Sequence, residues 1–117
     1  MKRTALLIAL FLAAPLQAET MKGMDHSGHM AADDAATEAY RAANMAMHEG
    51  MDIEYTGNAD VDFVRGMIAH HQGAIDMAKI VLEHGSDPEI RKLATGIIAA
   101  QQGEIAFMQE WLAKNGQ

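Results

Sequence analysis

From Val61 to His84, apolar and imidazole side chains return every three or four residues in two adjacent stripes. One holds Phe63, Met67, His70, Ala74, Met77, Val81 and His84; the other holds Val64, Ile68, His71, Ile75, Ala78 and Leu82. That step is the period of an α-helix with an apolar side. Ile90, Leu93, Ile97, Ile98, Ile105, Met108 and Leu112 repeat the pattern further on. The alanine-rich stretch before Gly50 favours another helix by intrinsic propensity. No apolar–polar alternation of useful length marks a strand.

The residues between these stretches set the boundaries. Asp33 or Asp34 is an N-cap for a first helix that runs to about Glu49, with Gly50 suited to the exit. Met51 to Ala59 is a connector with Thr56-Gly57-Asn58 as its turn. Asp60 is the expected cap of a second helix, Val61 to about His84, ended by Gly85. Ser86-Asp87-Pro88-Glu89 then opens a third. Either Ser86 pairs with Glu89 as a capping box, or Asp87 caps with Pro88 at the first helical position. The third helix reaches about Lys114, and Gly116 follows it. The expected fold is all-α: a small antiparallel bundle of three helices over residues 33–117, its second and third helices forming a tight hairpin. Helices of unequal length leave apolar surface that a second copy or a partner protein can cover.

The N-terminal pattern is different. Lys2 and Arg3 precede an uninterrupted apolar run from Ala5 to Ala14, and Ala18 is a small residue just before Glu19. That layout is the layout of a cleavable secretory signal over residues 1–18, cut after Ala18, which predicts a periplasmic or otherwise secreted chain. Ten apolar residues fall well short of the roughly 20 that a spanning helix needs, so no stable membrane insertion is expected after cleavage. Residues 19–32 have no apolar period and read as a flexible tail.

Charge and composition then narrow the chemistry. After removal of residues 1–18, 16 acidic and 7 basic residues remain, a net charge of −9. Such a chain is repelled by nucleic acid and by anionic lipid, and gathers cations. It has no cysteine, so the thioethers of its 10 methionines are its only soft sulfur donors.

Three methionine–histidine groupings stand out. In the tail, Met24-Asp-His26-Ser-Gly-His29-Met30 packs two imidazoles and two thioethers into seven residues. Thioethers suit Cu(I) and Ag(I), and imidazole suits copper in either oxidation state. A segment without a core gains nothing from methionine, so metal binding explains the cluster better than packing does. The bland alternative is a spacer. At the end of the first helix, Met45, His48 and Met51 are spaced three apart on one face. There the competing explanation is methionine as a gap-filler, although Met45 and Met47 cannot face the same way. The central grouping is Met67-Ile-Ala-His70-His71-Gln-Gly-Ala-Ile-Asp-Met77. Two adjacent histidines on a largely apolar helix need strong partners. Folding the hairpin at Ser86 and Asp87 puts them near Gln101, Gln102 and Glu104, and puts Met67 near Met108. A tight reversal at the first connector adds Met45 to that layer. Gln101 and Glu104 would then bond imidazole N–H groups behind the ligands. The alternative is a methionine-rich core with an internal His–Glu bond. His84 is read as serving the helix dipole.

Phe63-Val-Arg-Gly-Met67-Ile-Ala-His70-His71-Gln-Gly-Ala-Ile-Asp-Met77-Ala resembles the first block of the family known as domain of unknown function 305. Ile98-Ala-Ala-Gln101-Gln-Gly-Glu104-Ile-Ala-Phe-Met108-Gln-Glu-Trp111-Leu112 is similar to its second block. The resemblance runs from about Ala39 to Lys114. It implies a ferritin-like helical bundle and, from some family members, a periplasmic copper-binding protein that lowers copper toxicity. Met67, His70, His71 and Met77 are the ligand candidates it carries over. The expected role is to sequester or carry copper, as Cu(I) first and Cu(II) or Ag(I) otherwise, with no enzymatic activity. Two other classes compete. One is a helical interaction module without metal. The other is a ferritin-like di-iron oxidase, which wants Glu-x-x-His motifs on facing helices, and the sequence contains none. Ser27 and Ser86, the only serines, are in no nucleophile turn.

Overall fold

The computed structural model describes residues 34–116. The signal-like segment 1–18 and the tail ligands Met24, His26, His29 and Met30 lie outside the described residues. Three helices form, α1 (Ala35–Met51), α2 (Ala59–His84) and α3 (Pro88–Asn115), and no strand occurs among the described residues. None of these helices is long and apolar enough to cross a membrane.

Each helix begins at a side-chain oxygen that accepts from free backbone N–H groups, a device worth about 1 kcal/mol. Asp34 accepts from Thr37 N–H at 2.8 Å and caps α1. Asp87, not Ser86, caps α3: its carboxylate accepts from Glu89 and Ile90, and Pro88 opens the first turn. At α2 the expectation of an Asp60 cap is corrected. Asn58 caps, accepting from Asp60 N–H at 3.0 Å and Val61 N–H at 3.2 Å, so α2 starts at Ala59. The reason is the turn before it. Gly57 adopts φ +83°, and Asp62 reaches back to accept from Thr56 N–H, Thr56 Oγ1–H and Gly57 N–H. The short Asn58 side chain is thereby held over the first turn.

The middle helix carries the architecture. α2 packs against both α1 and α3, whereas α1 and α3 do not pack on each other. α2 and α3 run antiparallel and are fastened at both ends. Arg91 donates to the Leu82 carbonyl at 2.6 Å and to the Gly85 carbonyl at 3.1 Å, closing the last turn of α2. At the other end, Arg65 donates to the Gly116 carbonyl at 3.2 Å. With both ends fixed, the register between them is fixed as well.

α1 approaches α2 more closely, across glycines. A Cβ on Gly73 would come within 2.7 Å of Met47 Sδ, and one on Gly50 within 2.8 Å of the Ala69 Cβ. These pairs fix where α1 lies, and they correct the expected register. Met47 lies over Gly73 and Gly50 over Ala69, so Met45 falls about two turns away from Met67. The seven-residue connector Asp52–Asn58 is the cause. Pinned to Asp62, it runs beside the first turn of α2 instead of reversing tightly.

The core is small: Ala43, Val61, Val64, Ile75, Ala78, Ile80, Ala94 and Met108 are its buried apolar side chains. Ile90 and Leu93, expected on the buried face of α3, are exposed. They border an open groove of about 300 Å³ over α2, with Tyr40 on its α1 side.

Candidate functional site

The two α2 stripes have separate fates. The His71 stripe faces α3: Val64, Ile75 and Ala78 from it are buried, and Ile75 is only 2% exposed. The His70 stripe faces the gap between α1 and α3. Phe63 is 65% and Met77 49% exposed, and His70 is exposed too. Successive residues of a helix point about 100° apart, so two neighbouring histidines divide between an interface and an open face.

His71 is held firmly. Its side chain is only 14% exposed, and its Nε2 is bonded to the Glu104 carboxylate across the α2–α3 interface. An ionised carboxylate only accepts, so Nε2 carries the hydrogen, and in the neutral ring Nδ1 keeps its lone pair. That Nδ1 is buried and has no hydrogen-bond partner. Buried polar atoms are nearly always partnered, so an orphan is a point to explain. A second orphan, the Gln101 side-chain oxygen, is on α3 one turn before Glu104. Of the two side chains expected to bond the imidazoles, Glu104 does so and Gln101 has no bond from its oxygen.

The other ligand candidates follow from the register. Met67 lies one turn before His71 on α2, and Met108 one turn after Glu104 on α3. In antiparallel helices these two fall in one layer next to the His71–Glu104 bond. Met67 is half-buried and Met108 is 6% exposed. Met67 also precedes His70 by three residues, so it neighbours both histidine positions on the helix surface. The ring centroids of His70 and His71 are 6.0 Å apart, with planes tilted by 59°.

Other candidates are not brought in. Met45 is 63% exposed on α1 and does not join the Met67–Met108 layer, for the reason of register given above. His48 and Met51 are exposed at the end of α1. Met47 takes the inward place instead, against Gly73. Met77 is in the groove, about 10 Å along α2 from His70. Among the described residues no three His, Asp or Glu side chains converge on one point. His84 closes α2, with the Glu83 carboxylate 3.9 Å away.

The two arginine fastenings were not apparent in the apolar pattern. Arg65 and Arg91 lie near the starts of α2 and α3 and donate to bare carbonyls at the end of the helix opposite, which spacing along one helix does not signal.

The family model described as Domain of unknown function (DUF305) matches residues 12–112, most of the chain. An uncharacterised protein, L153, of Acanthamoeba polyphaga mimivirus is 45% identical over 53 residues, 45% of this chain. The match covers 35% of that viral protein, so the chain corresponds to about a third of its relative.

Proposed function

The chain belongs to the DUF305 family, and on that premise we propose that it binds a soft metal ion, Cu(I) or Ag(I), between α2 and α3. The ligands are Nδ1 of His71 and the thioethers of Met67 and Met108. The ion is cargo, held outside the cytoplasm and either sequestered or passed on.

One observation carries this reading: the buried, unpartnered Nδ1 of His71, next in register to two inward methionines. A lone pair in that position is unfavourable in the empty protein, by about 1–3 kcal/mol for an unsatisfied group. A metal ion removes the penalty, and Glu104 behind the ring gives the arrangement of a ligating histidine whose other N–H is held by a carboxylate. Two sulfurs and one imidazole form a donor set that favours Cu(I) and Ag(I) over Zn(II), Mn(II) or Mg(II). The acidic surface raises the local concentration of cations without choosing among them. Methionine sulfur has no proton to lose, so two of the three donors are indifferent to pH.

Thermal unfolding in the presence of metal tests the proposal. A ligand that binds only the folded state at 100 times its Kd stabilises it by about 2.7 kcal/mol. For a domain of this size that raises Tm by roughly 10 °C or more. Ag(I) is expected to give this rise and Zn(II) to give little. Equal, small shifts with both ions would instead favour a helical interaction module in which methionine serves only packing.

A further inference from the structure

We infer that α2 carries two successive positions for the ion: an outer one on His70 and an inner one on His71, with the Met67 thioether shared between them. The inference rests on the soft-metal reading and adds the route by which the ion enters and leaves.

The inner position is closed. His71 is largely covered and its Nδ1 has no solvent contact, so an ion cannot arrive there directly from water. The outer position is open. His70 is exposed on α2. The two imidazoles are 6.0 Å apart between ring centres, close enough for one ion to be handed over in a single short displacement. Met67 spans the gap, three residues before one histidine and four before the other, and is half-buried as a group at the boundary should be. Methionine has three rotatable side-chain bonds, so its sulfur can follow a moving ion.

The transfer is ligand exchange with no change in oxidation state. The bond from the metal to the His70 ring nitrogen breaks as the bond to His71 Nδ1 forms, and the Met67 sulfur stays attached throughout. Met108 then completes the inner set. With the ring neutral no proton need move, because Nδ1 then holds a free lone pair while Nε2–H stays bonded to Glu104. The outer position lies one turn before Ala74, which lines the groove with Tyr40, Met77, Leu93 and Ile97. Loading and unloading thus occur on one side of the molecule, the side left open between α1 and α3.

An entry ligand and a holding ligand have different kinetic consequences. Removing an entry ligand slows uptake and release by the same factor and leaves the equilibrium alone. Removing a holding ligand weakens the equilibrium. The test uses the purified chain, Cu(I) under anaerobic conditions, and a chromogenic Cu(I) chelator as competitor. Affinity is read from equilibrium partition, and rate from stopped-flow transfer in both directions. His70→Ala is expected to keep Kd within twofold while slowing transfer about tenfold each way. His71→Ala is expected to raise Kd by tenfold or more. His71→Gln, which keeps the volume and a polar end, covers the case in which alanine loosens the helix pair. Circular dichroism checks that each variant retains its helices.

If His70→Ala weakens binding as much as His71→Ala, both imidazoles serve one site and the two-position scheme is wrong. If His70→Ala changes neither rate nor affinity, the outer position does not exist. Failure of the unaltered chain to bind Cu(I) is a separate result, and it removes the soft-metal reading itself.

Discussion

His70 and His71 are consecutive residues of one helix, yet one points into the gap between α1 and α3 and the other is clamped against α3 by Glu104. The same division recurs at other positions of α2. The stripe through His71 contains Val64, Ile75 and Ala78, all buried. The stripe through His70 contains Phe63 and Met77, both exposed. Apolar spacing alone makes the two stripes look equivalent. What separates them is supply: α1 and α3 cover two sides of α2, and nothing among the described residues covers the third. A helix with a wide apolar face needs as many neighbours as it has apolar sides, and here it has one fewer.

The contrast is broken most strongly at Ile75. Ile75→Ala removes a 2%-exposed side chain from the α3-facing stripe and is expected to cost about 3 kcal/mol, read from chemical denaturation. Next comes the glycine contact beneath α1. Gly73→Val brings Cβ against the Met47 side chain, whose own Cβ would be 2.9 Å away and cannot swing aside. Overpacking of this kind is expected to cost about 2 kcal/mol and to loosen α1 from α2, seen as faster amide exchange in α1.

A smaller effect is expected at the connector. Hydrogen bonds from Thr56, backbone first, and from Gly57 hold the Asp62 carboxyl below the ordinary aspartate range. A depressed folded-state pKa means stability that is present at neutral pH and lost as pH falls through the folded value. Acid melting below about pH 4 therefore includes a contribution from Asp62. Asp62→Asn is expected to lower Tm by a few degrees at pH 7 and to flatten its dependence on pH in that acid window. Asp34, depressed by its bond to Thr37, acts in the same direction. The smallest effect belongs to the open stripe. Met77→Ala, at a half-exposed position, is expected to change stability by less than about 1 kcal/mol. A loss as large as that of Ile75→Ala would mean that a second copy or another partner covers the groove in solution.

The order of the helices and most of their ends were legible in the sequence because caps and glycines act locally. Asp34, Asp87 with Pro88, and Gly85 each work through atoms within four residues. Asn58 was harder to see. It caps α2 only because Asp62 holds the turn, and Asp60 has the same chemistry two residues on. The α2–α3 register was legible to within about two residues, since its turn is short, and it brought His71 to Glu104. The α1 register was not, because a seven-residue connector leaves the sliding of one helix along another undetermined until packing decides it. Packing decided through Gly50 and Gly73, whose absent side chains give no apolar signal. That is why the sequence leaves open which of Met45 and Met47 turns inward, and why Met45 does not join the Met67 layer. Which of two equal stripes meets α3 was likewise settled by contact and not by period.

The most direct measurement is a Cu(I) titration of the purified chain against a competing chelator, repeated on a variant in which His71, Met67 and Met108 are replaced together by glutamine, leucine and leucine. The unaltered chain is expected to take up Cu(I) tightly, with the triple variant retaining its helices and losing at least a hundredfold in affinity at the bundle. Equal affinity in the two proteins would contradict the claim that the α2–α3 interface holds the ion.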